Sequence, residues 1–270
     1  MSGNLPLVFS VTSGKGGVGK TNITVNLAYC LVQMGKRVIV IDSDLGLANV
    51  DVILGLTPQK NLFHLFHEDI SLREILCPTP YGFSILPASS GMAEMLSLST
   101  GQKLELLEAV DEFDEEVDYL IVDTGAGISD NVLYFNMAVQ ERLIVMTTEP
   151  TSLTDAYALI KVLKMNHGVE HFCVCVNMAP DAAQAKTAFS RLYQACDHFL
   201  EGVSLDLVGV VPKDGNVRQA VVKQKPICDL NPGSPAAKGL MNLAVNVSEW
   251  QLPEMLDGNI KFFWKKLLFH

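Results

Sequence analysis

Cysteine is scarce and unpatterned in this 270-residue chain: six residues, at 30, 77, 173, 175, 196 and 228, with no CxxC among them. That spacing speaks against a zinc ribbon or a disulfide framework. Long hydrophobic runs are lacking too, since none approaches the roughly 18 uninterrupted apolar residues that cross a bilayer. The opening MSGNLPLVF has neither the basic start nor the extended apolar stretch of a secretory signal. Reduced thiols in a cytoplasmic protein are therefore expected, with Cys173 and Cys175 packed on one face of a strand. Charged residues make up only 19% of the chain against 49% apolar, which excludes intrinsic disorder. Positive charge is in deficit, with a net charge of −10, and no specific nucleic-acid partner is expected. No Pro/Gly/Ser-rich linker and no internal repeat precedes residue 250. The reading is one domain over 1–252 and a distinct tail over 253–270.

What is present is a recurrence of short β-branched runs: LVFSV (7–11), RVIVID (37–42), FSILPA (83–88), YLIVD (119–123), RLIVMTT (142–148), HFCVCVN (171–177) and LVGVVP (207–212). Near-continuous apolar runs are the mark of strands buried on both faces. Helical-period segments lie between them, among them 20–34, 101–113, 152–167 and 182–200. Alternating strands and helices predict an α/β fold, a doubly wound and mostly parallel sheet with helices on both faces.

The first strand runs into Ser13-Gly14-Lys15-Gly16-Gly17-Val18-Gly19-Lys20-Thr21, and a helix follows. Glycines let the backbone wrap with its N–H groups inward, so that loop and helix start together cradle an anion. Lys20 is placed to reach the β- and γ-phosphates, and the Thr21 hydroxyl to ligate Mg²⁺. The segment through Asn22 is thus a candidate ATP/ADP site. A dinucleotide fingerprint also matches Gly14-x-Gly16-x-x-Gly19, with Asp42 ending the second strand. That alternative gives no role to Lys20-Thr21. It also leaves Asp123, a second acidic strand end, unexplained, whereas an NTPase needs an acid near its metal.

Lys15 is a second lysine that an ordinary P-loop does not need. With it, the segment resembles the deviant-Walker-A ATPases of the MinD/ParA class. The resemblance implies that Lys15 crosses a dimer interface to a partner's phosphates, coupling dimerisation to hydrolysis. It further implies that Asp44, in Asp42-Ser43-Asp44-Leu45-Gly46-Leu47-Ala48-Asn49, orients the attacking water and that Asp42 lies near the metal. Asp123 would bind Mg²⁺ through water, while Asn177, Pro212 and Asp214 match adenine-binding positions. The stretches 44–51, 86–92 and 149–161 are similar to those of the FlhG/FleN branch, which limits flagellar number and placement. Ala48, where MinD-type sequences usually carry arginine, leans the same way; a division-site regulator and an ATP-dependent scaffold with incidental hydrolysis stand as alternatives. Partners implied by the branch are the flagellar GTPase FlhF, the transcriptional activator FleQ/FlrA and C-ring components. An ATP-dependent homodimer on the inner face of the cytoplasmic membrane at the cell pole is also implied. The chain opens without the Asp-Gln-Ala-x-x-Leu-Arg segment by which many members of that branch stimulate the GTPase.

In the tail, Ile260, Phe263, Trp264, Leu267 and Leu268 fall on one helical face, with lysines 261, 265 and 266 mostly on the other. That pattern suits an anionic membrane surface, and packing on the chain's own body is the competing arrangement. His64 and His67 lie three apart, but no nearby residue completes a metal-ligand set.

Overall fold

The computed structural model describes residues 6–45, 49–88, 98–113, 117–251 and 261–263. The chain begins with β1 (Leu7–Ser13), α1 (Lys20–Gln33), β2 (Val38–Ser43) and the short helices α2 (Val50–Leu54), α3 (Leu62–His67) and α4 (Leu72–Ile75). Next come β3 (Cys77–Pro78), β4 (Ser84–Leu86), α5 (Thr100–Val110), β5 (Tyr119–Ala126) and α6 (Asp130–Ala138). The second half alternates β6 (Glu141–Met146), α7 (Pro150–His167), β7 (His171–Ala179), α8 (Ala182–Phe199) and β8 (Ser204–Pro212). It finishes with α9 (Gly215–Val222), α10 (Ile227–Leu230) and α11 (Pro235–Ser248).

The strands form one sheet in the order β3-β4-β2-β5-β1-β6-β7-β8, parallel except for β3 against β4. Side-chain parity explains why the strand sequences are apolar throughout. On β1, Phe9 and Val11 join the cluster that holds Leu27 of α1 and Leu243 of α11. Val8 belongs to the opposite side, with Leu106 of α5 and Phe135 of α6. Ile144 of β6 and Val174 of β7 meet Leu159 of α7 and Leu192 of α8. Each such side chain contributes about 1.5–3 kcal/mol by leaving water.

One buried polar chain interrupts this pattern. Ser10 Oγ donates to Asn136 Oδ1 at 2.8 Å, Asn136 Nδ2 donates to Thr12 Oγ1 at 3.1 Å, and Thr124 Oγ1 bonds Thr12 Oγ1 at 2.9 Å. These bonds satisfy groups that burial would otherwise penalise, and they tie β1, β5 and α6 together. Because β1 sits between β5 and β6, the glycine loop leaves the sheet at its centre, flanked by the ends of neighbouring strands. Ligands of open α/β sheets collect there, beyond the carboxyl ends of the strands.

The tail shows a local departure from the expected helix. Lys261–Phe263 form a turn, with Phe263 at φ 58°. Lys261 is buried, its Nζ donating to Met137 O at 2.7 Å, and the Phe262 amide donates to Ala138 O at 2.8 Å. Phe262 and Phe263 join the α5/α6 cluster. Removing two phenyl rings from water favours this seat, and the Met137 carbonyl offsets part of the cost of desolvating the ammonium. Phe263 and Lys261 thus face the body here, rather than opposite sides of a free helix. Ile260, Trp264, Leu267, Leu268 and the boundary at 252/253 lie outside the described residues.

Candidate nucleotide site

The phosphate loop is shaped by contacts that differ from glycine to glycine. Gly17 and Gly19 adopt left-handed φ of 78° and 92°, a region that side chains with a Cβ resist. Gly14 is a glycine for another reason: a Cβ there would sit 2.0 Å from the Asp155 carbonyl oxygen of α7. Around Gly16 and Gly17 the cradle is open, with nothing within 4 Å of an added Cβ. No side chain caps α1, which starts on Gly19. Its first N–H groups therefore offer an anion site together with the positive end of the helix dipole.

Two acids stand side by side where β2 and β5 end, Asp42 in register with Asp123. Both are buried. Desolvation pushes the Asp123 carboxyl up to about 6, opposed by hydrogen bonds from Thr21 and Thr24 and by the charge of Lys20. Desolvation, reinforced by Asp123, raises Asp42 to about 8. Asp42 has a second occupation. Oδ1 accepts from the Asp44 amide at 3.2 Å, and Oδ2 accepts from the amides of Asn49 and Val50 at 2.9 and 3.0 Å. It therefore folds the segment that carries Asp44. Burial lowers the Lys20 ammonium, while the nearby charges of Asp123 and Asp44 act to raise it. An added Cβ at Gly125 would lie 3.7 Å from the Asp44 carboxylate, so Asp44 reaches the last residues of β5.

This donor set fits a magnesium-bound nucleotide. A hydroxyl and two buried carboxylates are hard oxygen ligands, and the open glycine cradle suits a phosphate chain. Beside it is a cavity of about 350 Å³ lined by Asn22, Asn177, Pro212 and Asp214 among others. Asn177 does more than line it: Nδ2 donates to Val18 O at 2.8 Å, anchoring the phosphate loop to β7. The Asp214 carboxylate accepts from Asn216 N at 2.9 Å and Ala236 N at 3.2 Å, holding the starts of α9 and α11 beside the cavity.

The structure thus brings Gly14 through Asn22, Asp42, Asp44, Asp123, Asn177, Pro212 and Asp214 to the end of the sheet where the strands have their carboxyl termini. Lys15 is held on the rim, where Nζ meets Thr151 Oγ1 at 2.8 Å and Glu149 Oε2 at 3.1 Å. These two partners at the start of α7, and Thr24, which donates to Asp123 Oδ1 at 2.9 Å, were not anticipated from sequence. Thr24 sits one helical turn after Thr21, a spacing that could have flagged it.

A phosphate loop facing buried strand-end carboxylates defines the class: this is a P-loop NTPase. The family model described as "ParA: NUBPL iron-transfer P-loop NTPase" matches residues 4–248. The chain belongs to that ParA family, and it is an ATPase. It is 45% identical to the antiactivator FleN of Pseudomonas aeruginosa over 97% of this chain and 94% of that protein. It is 34% identical to the flagellum site-determining protein YlxH of Helicobacter pylori, over 96% of this chain and 88% of the relative. In fold it is similar to the cell division ATPase MinD of Pyrococcus furiosus, with a TM-score of 0.76 at 24% identity, covering 91% of this chain and 99% of that structure.

Proposed function

We propose that this ATPase is a dimerising switch that sets the number and placement of flagella. It cycles between a cytoplasmic monomer and an ATP-bound dimer on the inner face of the cytoplasmic membrane, at the cell pole. The observation that carries the reading is the placement of Lys15. Its ammonium is engaged on the rim by Glu149 and Thr151, and its side chain is 38% exposed, at a position from which a second subunit can take it. A cation supplied by another molecule stabilises charge on the transferring phosphoryl group only when two chains meet.

Within the site, Lys20 balances charge on the bound phosphates and Asp44 orients the attacking water. Asp123 accepts from the Thr21 hydroxyl, and Asp42 stands in register beside it. Mg²⁺, when bound by Thr21 and through water by Asp123, supplies charge neutralisation of the phosphates. The names of the two bacterial relatives, an antiactivator and a flagellum site-determining protein, support the flagellar setting. In that setting the partners are the transcriptional activator FleQ/FlrA, the GTPase FlhF and components of the C-ring. The antiactivator relative also favours a second reading, an ATP-dependent scaffold that captures an activator without needing turnover.

Light scattering with ADP and with ATP, on wild type and on Asp44→Ala, tests the proposal. The expected result is a monomer with ADP, a dimer with ATP, and a variant that accumulates as dimer with turnover lost. Partner release that proceeds normally in Asp44→Ala would favour the scaffold. Wild-type turnover per molecule that is independent of dilution would overturn the switch.

A further inference from the structure

At the other end of the sheet from the nucleotide, two neighbouring strands begin with chemistry that the ATPase does not use. Glu141 opens β6, His171 opens β7, and Cys173 follows two residues later on the same face. One ligand atom from each of these three lies within 4.8 Å of the others. The imidazole is held at both ends: Nδ1 is 2.9 Å from Glu141 Oε2, and Nε2 is 3.0 Å from Asp206 Oδ2 of β8. Cys173 is 2% exposed and Glu141 8%, whereas the His171 side chain is 40% exposed. The group is therefore a buried thiol and carboxylate closed on the solvent side by a histidine.

We propose that Glu141, His171 and Cys173 form a binding site for a thiophilic divalent cation, Zn²⁺ in particular, with Asp206 positioning the histidine. One sulfur, one imidazole nitrogen and one carboxylate oxygen make the mixed set that Zn²⁺ accepts, whereas Mg²⁺ prefers oxygen alone. Nδ1 is the nitrogen on the side of Glu141. Nε2–H then stays on Asp206, the arrangement in which an outer carboxylate fixes the tautomer of a metal-bound histidine. Binding releases the Cys173 thiol proton and any proton on Nδ1 to solvent, leaving a thiolate and a neutral imidazole on the metal. Burial holds the free Cys173 thiol protonated; the charge of the cation offsets that cost. The fourth position opens to water past the exposed histidine, so the metal exchanges with solvent. Its effect is to clip β6, β7 and β8 together, remote from the phosphates.

The test uses full-length protein without a histidine tag, free of nucleotide, titrated with Co²⁺ and then with Zn²⁺. The expected result is one equivalent of Co²⁺ with a thiolate-to-cobalt charge-transfer band, displaced by Zn²⁺. The band separates this site from the oxygen ligands of the nucleotide site, which give none. Cys173→Ser removes the band, and Asp206→Asn weakens Co²⁺ affinity by about 10–100-fold with the band retained. Asp206 is 68% exposed on its side chain, so that variant folds and keeps the test decisive if Cys173→Ser does not. Absence of the band in wild type, its persistence in Cys173→Ser, or unchanged affinity in Asp206→Asn overturns the assignment. ATPase activity need not change in any of these arms, so the result stands apart from the switch proposal.

Discussion

Thr24 shows how a single hydroxyl conditions the chemistry of a neighbour. Asp123 is fully enclosed, and its carboxylate is acceptable there because Thr21, Thr24 and Lys20 oppose the desolvation that raises it. Thr24→Val removes one donor and keeps the shape, leaving a buried carboxylate oxygen short of a partner. The expected cost is about 1–3 kcal/mol. Urea denaturation in the absence of nucleotide should show it, together with weaker Mg²⁺ dependence of ATP binding. Thr24→Ser restores the donor and should recover both. Little of this was readable beforehand. The glycine loop, Lys20 and Thr21 announce themselves by spacing, and Asp42 and Asp123 by ending apolar runs. The partners of Lys15, by contrast, lie 134 and 136 residues away in sequence, and nothing local encodes such a pairing.

Among the elements, α7 and the loop before α1 are locked by the absence of one methyl group. With a Cβ at Gly14 only 2.0 Å from the Asp155 carbonyl oxygen, Gly14→Ala must push α7 away. Overpacking of this kind costs about 1–3 kcal/mol. Because α7 begins with the residues that hold Lys15, the variant should lose both thermal stability and ATP affinity, read by melting with and without nucleotide. At the opposite end of the strands, Asp118 ties the starts of β2 and β5: its carboxylate accepts from Arg37 N at 2.7 Å and from Arg37 Nη2 at 2.8 Å. Those bonds from Arg37 hold the Asp118 carboxyl below its usual value. A depressed acid contributes stability above the unfolded value near pH 4 and loses it as pH falls further. Asp118→Asn should therefore flatten the acid side of the stability curve. At neutral pH it should cost about 1 kcal/mol or less, because the pair is partly exposed.

The strands were legible as elements because burial on two faces leaves continuous apolar runs. Their ends were less so. β5 continues through Thr124, Gly125 and Ala126 past its apolar run, and β8 begins at Ser204, before its own. The helices α2, α3 and α4, of four to six residues, are too short for a 3.6-residue period to register. α11 had a signal, Ser234 as N-cap followed by Pro235, that could have been read. The Glu141, His171 and Cys173 group had none, since its ligands arrive from two strands and only register aligns them.

For the whole molecule, the docked segment at 261–263 sets the terms on which the tail can leave. Phe262 and Phe263 are part of the α5/α6 core, so exposure of the tail costs their burial, about 1.5–3 kcal/mol each. Phe262→Ala weakens that seat without touching the residues expected to meet lipid. It should raise sedimentation with anionic liposomes in the absence of ATP, while deletion of 259–270 should abolish sedimentation and leave ATP-dependent dimerisation intact. Equal sedimentation of the truncated chain would assign the segment to packing alone. Among the described residues no helix is long and apolar enough to cross a membrane.

The amide of Asn177 faces two ways, gripping the Val18 carbonyl while forming part of the wall where a purine would lie. A ring that presses on that wall is felt by the turn that wraps the triphosphate, and the reverse holds as well. Tripolyphosphate should accordingly tighten the binding of adenosine when both are present, and Asn177→Ala should erase that mutual effect.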